Sequence, residues 1–331
     1  MAESKQKYIS ENTPSNKGNH SSVILGGCIA VAAGVLLGLL VVGIPSPVMV
    51  LTAGLGLFAT CVIIARIDWG LFLFVLITYS YFSSVAIENF GIPSLAKIFV
   101  VLLLFGIMLR WVIWDERPSG WGRVTLLIGI YCLVGAASMV YSADITQTRT
   151  TLFYLVKDSI IAIIVVILLK QANVLRGVIW SLLAAGIFMG TFGVYQHLTG
   201  TFDNSYWGLA TSEMRDIVDG TTHYRIGGPI GSSNFFAQIL LALIPLAFER
   251  MWHEKSFVFK SLAAWTLIVC TLSLFFTYSR GGFLALIVML LVFIGLYPPR
   301  TKLVLMLLIT GIPLLYFVPP QYVDRMITLR Q

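Results

Sequence analysis

Few residues in this sequence are equipped for chemistry, and two arginines stand out by their company. Arg225 lies in Tyr224-Arg225-Ile226-Gly227-Gly228-Pro229-Ile230-Gly231-Ser232, which leads into Ser233 and Asn234. Arg280 lies in the short turn Tyr278-Ser279-Arg280-Gly281-Gly282, wedged between two apolar stretches. A guanidinium is a planar fork of donors that matches phosphate oxygens two at a time. Glycines beside it let backbone and ligand come close. Two such groups on one face would grip a phosphate or pyrophosphate; the plainer alternative is two unrelated arginines anchored at a membrane interface. His223, two residues before Arg225, is a weaker candidate for substrate contact, since a loop histidine is ordinarily just solvated.

Lys157 and Asp158 pose a different question, because they interrupt an apolar stretch. Placing either charge at mid-bilayer costs about 3 kcal/mol, and neighbours i and i+1 on a helix do not face each other. Lys157 lies about 9 Å along the helix from Thr151 and can snorkel outward; otherwise the pair calls for a partner or a water-filled cavity. Lys97 repeats the situation in an earlier stretch. An anion path lined by Lys97, Lys157, Arg225 and Arg280 would look similar. No Walker A lysine, HExxH, GxSxG or paired-cysteine motif is present. Cys28, Cys61, Cys132 and Cys270 each fall in a separate apolar run and read as small core residues, so neither metal nor cofactor is expected.

The elements that must position these groups are set by solvent. Of 331 residues, 58% are hydrophobic and 11% charged, and mean hydropathy is +0.89. So little charge cannot cover a water-exposed surface, which excludes a soluble enzyme, a disordered chain and a small secreted module. Long continuous apolar runs exclude an alternating outer-membrane barrel. The expected fold is all-α, a polytopic transmembrane helix bundle of about eleven spans. They fall at 23–43, 47–65, 69–87, 94–114, 124–141, 151–169, 177–196, 233–248, 259–277, 281–297 and 302–318. The eighth is short enough to be tilted or re-entrant. Residues 1–22 read as a disordered polar tail, 23–189 as N-terminal membrane helices, and 190–331 as a membrane region with an external loop at 197–232.

With a cytoplasmic N-terminus, fourteen of the 22 Lys and Arg residues fall on the cytoplasmic side. The C-terminus is then external, as are Arg225 and Arg280. The net charge of +7 is thereby a topology signal, and the expected contacts include membrane lipids and no nucleic acid.

The run from Arg225 through Gly227-Gly228-Pro229 to Ser233-Asn234-Phe235-Phe236-Ala237 resembles the O-antigen ligase/polymerase superfamily. So does Ser279-Arg280-Gly281-Gly282 opening the next apolar helix, and so does Gly193-Val194-Tyr195-Gln196, with Gly200 after it. The resemblance is best from 190 to 331. It implies a multi-pass glycosyltransferase of the bacterial inner membrane, inverting at the anomeric carbon. The donor would be a glycan on a polyprenyl (undecaprenyl) pyrophosphate and the acceptor a hydroxyl of a glycan or lipid, at the external face. Polysaccharide biosynthesis for the cell envelope, lipopolysaccharide included, is the setting it implies. Arg225 and Arg280 would be catalytic, stabilising charge on the leaving pyrophosphate, while Lys157, Asn234 and His223 would bind substrate. The family usually continues into a large external loop with an assisting histidine; this sequence ends at Gln331, and neither His197 nor His223 matches that histidine. A transporter of an anion or lipid-linked glycan, or an inactive truncated paralogue, are the competing readings.

Overall fold

The computed structural model describes residues 66–115, 122–169, 172–216 and 222–296, with Gly54 and Ile63 besides. The tail at 1–22, the spans expected at 23–43 and 302–318, Cys28 and Cys61 lie outside these residues. The described chain is mostly helical. In order it forms α1 (Ile67–Tyr79), α2 (Phe82–Phe90), α3 (Leu95–Trp114), α4 (Gly122–Ala137), a 3-10 turn (Ser138–Tyr141), α5 (Ile145–Leu168) and α6 (Ala172–Thr199). An antiparallel hairpin follows, β1 (Thr211–Asp216) with β2 (Thr222–Gly228), and then α7 (Ser233–His253), α8 (Phe257–Phe276) and α9 (Arg280–Leu296).

Six of these segments, α3, α4 continued through the 3-10 turn (Gly122–Tyr141) and α5 to α8, are long and apolar enough to cross a bilayer, so the chain reads as a multi-pass membrane protein. Three expectations change in detail. The span expected at 69–87 is broken: α1 and α2 meet at 62°, at Tyr81, whose φ of 58° no helix interior accommodates. The span expected at 233–248 is instead an uninterrupted 21-residue helix that carries Pro245. The connection at 197–232 is not a plain loop, because it folds into the β1–β2 hairpin, with Glu213 opposite Arg225 in register.

The chain divides into two compact units, 1–70 with 101–117, and 71–100 with 118–331. In the first, Ile63, Ile67 and Leu103 are buried. In the second, the core is built by α6, α7, α8 and α9. Leu183, Met189, Phe236, Leu240, Leu243, Ile244, Leu267, Leu274 and Leu286 are buried there. Small residues permit that packing. A Cβ on Gly186 would come within 2.6 Å of Leu243, and one on Gly190 within 2.9 Å of Val269. Lipid tails are as apolar as leucine, so such helices associate through close contact and interhelical hydrogen bonds rather than through hydrophobic exclusion. Ser273 Oγ supplies one, donating to the Gly190 carbonyl at 2.8 Å. Tyr79 Oη supplies another, donating to the Ile239 carbonyl at 3.3 Å.

A charged cluster marks the opposite end of these helices from the hairpin. Glu254, just past α7, is 5% exposed and accepts from Arg176 Nε at 3.0 Å, from Trp180 Nε1 at 3.1 Å and from Arg250. Burial by itself would raise the Glu254 pKa, but the hydrogen bonds from Arg176, Trp180 and Arg250 outweigh it and hold the carboxyl below its usual range.

Candidate functional site

The hairpin and the α8–α9 turn come together at one end of the α6–α9 core. Arg225, on β2, is 7% exposed. Its Nε donates to the Thr277 carbonyl at 2.8 Å and one Nη donates to Asn234 Oδ1 at 3.0 Å. The hairpin is thus tied both to the turn and to the first turn of α7.

Local sequence explains why each partner is where it is. Glu213 of β1 accepts from the Ser233 hydroxyl at 2.7 Å and lies 3.4 Å from the Ser233 amide. A carboxylate at a helix N-terminus satisfies an otherwise unbonded donor and favours the positive end of the dipole. Before that helix the chain must reverse sharply. Gly228 does so with φ 58° while facing the Phe236 ring, which a Cβ would approach to 2.7 Å, so only glycine fits. On the other side, Ser279 acts as the N-cap of α9, accepting from the Gly282 amide at 3.3 Å. Tyr278 before it adopts φ 49°, an uncommon left-handed conformation for a bulky residue. Gly282 lets α9 approach α7, since a Cβ there would stand 2.8 Å from Ala237 Cβ.

Between these elements lies an open cavity of about 580 Å³. It is lined by Arg225 and Arg280, by the polar Asn234, Gln238, Tyr278 and Ser279, and by Gly281, Gly282, Leu241 and Ala285. Arg225 and Arg280 thus line the same space, and no carboxylate is among the lining residues. Arg280 is exposed and forms no hydrogen bond or ion pair with any described residue. The N-termini of α7 and α9 both open toward the cavity. The first is answered by Glu213 and the second, at the Gly282 amide, by the Ser279 hydroxyl. Burial raises the Tyr278 phenol above its ordinary value, keeping it a neutral donor. The arrangement suits an anion with several oxygens.

Of the other residues singled out by sequence, Asn234 is in this cavity, as the orienting partner of Arg225. Lys157 is not. It lies on α5, with its Nζ 3.7 Å from Asp158 Oδ1 and 4.9 Å from the centroid of the Tyr154 ring. Adjacent residues can therefore pair here, with Lys157 reaching sideways, although such neighbours ordinarily diverge on a helix. The backbone of His223 is in β2, opposite Arg215. His197 lies outside the cavity wall and stacks on Phe276 at 3.7 Å between ring centroids. Its Nδ1 is buried and has no hydrogen-bond partner among the described residues.

Gln196 holds the preceding connection. Fully buried, it donates through Nε2 to the carbonyls of Ala210 at 2.8 Å and Asn204 at 3.1 Å. Gly193, one turn earlier, passes close to Ile226 of β2: a Cβ would come within 3.1 Å of it. These two explain the Gly193-Val194-Tyr195-Gln196 run structurally, as the seat of the hairpin. Gln238 is a cavity residue that motif reading passed over, although its position four residues after Asn234 places both on one helical face.

Among the described residues, no three His, Cys, Asp or Glu side chains gather where they could hold a metal ion. Comparisons with protein-family models, with curated proteins and with solved structures find no match.

Proposed function

We propose that this chain is a membrane-embedded glycosyltransferase of the O-antigen ligase or polymerase kind, working at the external face of a bacterial inner membrane. The observation that carries the reading is the cavity in which Arg225 and Arg280, far apart in sequence, line one space beside a helix N-terminus and no carboxylate. Such a site favours the pyrophosphate of a polyprenyl-linked glycan. The acceptor hydroxyl attacks the anomeric carbon from the face opposite the leaving group. The bond from that carbon to the pyrophosphate oxygen breaks, and its electron pair stays on the lipid pyrophosphate. Charge grows on that oxygen in the transition state, and prepositioned guanidinium groups stabilise it more than they stabilise the ground state. Arg225 is held for this by Asn234 and Thr277, while Arg280 can close on the ligand from solvent. The acceptor's proton passes to water or to a group beyond the cavity lining, which contains neither carboxylate nor imidazole.

The test is transfer of a glycan from its polyprenyl pyrophosphate in membranes that contain the wild type, Arg280→Lys or Arg225→Lys. Loss of product with both variants inserted at normal amount is expected. Normal glycan length and attachment in both variants would remove the reading. A second reading, a transporter for an anion or lipid-linked glycan, draws on the break between α1 and α2, since broken helices are common at transporter sites. Flux through proteoliposomes with no covalent product would favour it.

A further inference from the structure

Tyr278 stands where a glycine is expected. Helix α8 ends at Phe276, Thr277 caps it with φ −71°, and Tyr278 follows with φ 49°. This left-handed place just past a helix end is commonly filled by glycine, because a Cβ there crowds the backbone. A bulky residue persists in such a conformation only where its surroundings over-determine it.

The backbone is pinned on both sides. The Tyr278 amide donates to the Phe275 carbonyl at 2.9 Å, and the Ser279 amide donates to Thr277 Oγ1 at 3.2 Å. Arg225 Nε holds the Thr277 carbonyl at 2.8 Å. The side chain, by contrast, has little to do within the chain. Its hydroxyl makes no hydrogen bond with any described residue. Its ring meets His197 at a tilt of 55° with 6.4 Å between centroids, while His197 keeps its stacking face for Phe276. Tyr206, another left-handed tyrosine, differs, because its hydroxyl is bonded to Thr201 Oγ1 at 2.5 Å. Of the five described non-glycine residues with positive φ, Tyr278 alone lines the cavity that Arg225 and Arg280 share.

We propose that Tyr278 is held in this conformation as a ligand contact, its phenol donating a hydrogen bond to an oxygen of a phosphate or pyrophosphate bound beside Arg225 and Arg280. The inference rests on reading the cavity as a pyrophosphate site and adds a further donor to it. A phenol suits the place physically. Unlike an ammonium or a guanidinium, it brings a donor into half-buried surroundings without a charge that must be desolvated. With its backbone pinned and only two side-chain torsions, it loses little freedom when the ligand arrives. No carboxylate lines the cavity to take the hydroxyl proton, so an anion oxygen is the natural acceptor. The strained backbone thus sets on the cavity wall a donor that glycine lacks.

The test measures binding of inorganic pyrophosphate and of farnesyl pyrophosphate, a short prenyl form, to the full-length chain purified in detergent, with thermal unfolding alongside. Tyr278→Phe keeps the ring and the backbone and removes one hydroxyl. It should weaken both ligands about tenfold, the effect of losing one hydrogen bond to a charged group, and leave the unfolding midpoint unchanged. Tyr278→Gly releases the strained backbone, so its midpoint should match or exceed that of wild type while binding falls at least as far. Wild-type affinity for both ligands in Tyr278→Phe overturns the proposal and leaves the arginine cavity standing. Absence of binding by wild type overturns the cavity reading, and the proposal with it. Weakening of the farnesyl form alone also overturns it, since the hydroxyl would then serve the lipid and not the phosphate. So does a Tyr278→Gly midpoint more than about 4 °C below wild type, which would mean that the ring is kept there for packing.

Discussion

The two arginines occupy unlike environments, so the same substitution should have unlike effects on stability. In Arg225→Lys, the bonds from Nε to the Thr277 carbonyl and from Nη to Asn234 cannot both be kept, because one ammonium replaces a two-edged fork. Hydrogen bonds to a charged group contribute about 1.5–3 kcal/mol each. Losing one, with partial recovery by the other, gives a destabilisation of about 2–3 kcal/mol. At roughly 2 °C per kcal/mol for a chain of this size, the unfolding midpoint should fall by about 4–6 °C. Arg280 is exposed and unpaired among the described residues, so Arg280→Lys should stay within about 0.5 kcal/mol of wild type. The assay is thermal unfolding of purified protein in one detergent, followed by the loss of monodisperse protein on size exclusion, with inorganic pyrophosphate binding measured alongside. Both variants should bind pyrophosphate more weakly, but only Arg225→Lys should melt early. Equal midpoints for the two, or an earlier melt for Arg280→Lys, would refute the account of how the hairpin is anchored.

Other perturbations separate the scaffold from the site. Gly228→Ala forces a Cβ into the Phe236 ring at positive φ and should cost about 2–3 kcal/mol, visible as earlier unfolding. Glu213→Ala removes the acceptor for Ser233 at the start of α7 and should cost about 1–2 kcal/mol. Because it also loosens the hairpin, limited proteolysis within β1 and β2 should speed up; an unchanged cleavage rate would count against the tie. Glu254 has a pKa lowered in the folded state, so its contribution is complete above the ordinary carboxylate range and disappears as pH falls through the lowered value. Stability should therefore drop as pH falls below the ordinary carboxylate range in wild type, and Glu254→Gln should flatten that acid limb. An identical acid limb in both proteins would show that other carboxylates govern it.

Much of the fold is legible in the sequence because a bilayer leaves a helix few alternatives: each backbone group must be satisfied within its own segment. Apolar runs of about 20 residues therefore mark α3 to α8 directly. The hairpin was not legible, because residues 197–232 mix polar and apolar groups without sustained alternation, and pairing of β1 with β2 depends on how Gln196 and Gly193 seat the connection. The α1–α2 break was hidden for a related reason. Ser80 and Tyr81 are ordinary within an apolar run, and only the backbone turn at Tyr81 separates the two helices.

For the site, sequence by itself determined the inventory: two arginines beside glycine-rich turns, Ser233-Asn234 leading into a helix, and Ser279-Arg280-Gly281-Gly282 opening the next one. These follow from local rules about caps, turns and charge, which act over a few residues. That Arg225 and Arg280 share a cavity, that Asn234 orients one of them, and that Lys157 faces away on α5 were decided by tertiary structure alone. Distances between segments arise from interhelical packing. That packing hangs on single contacts such as Gly282 against Ala237 and Arg225 against Thr277, which no local pattern encodes.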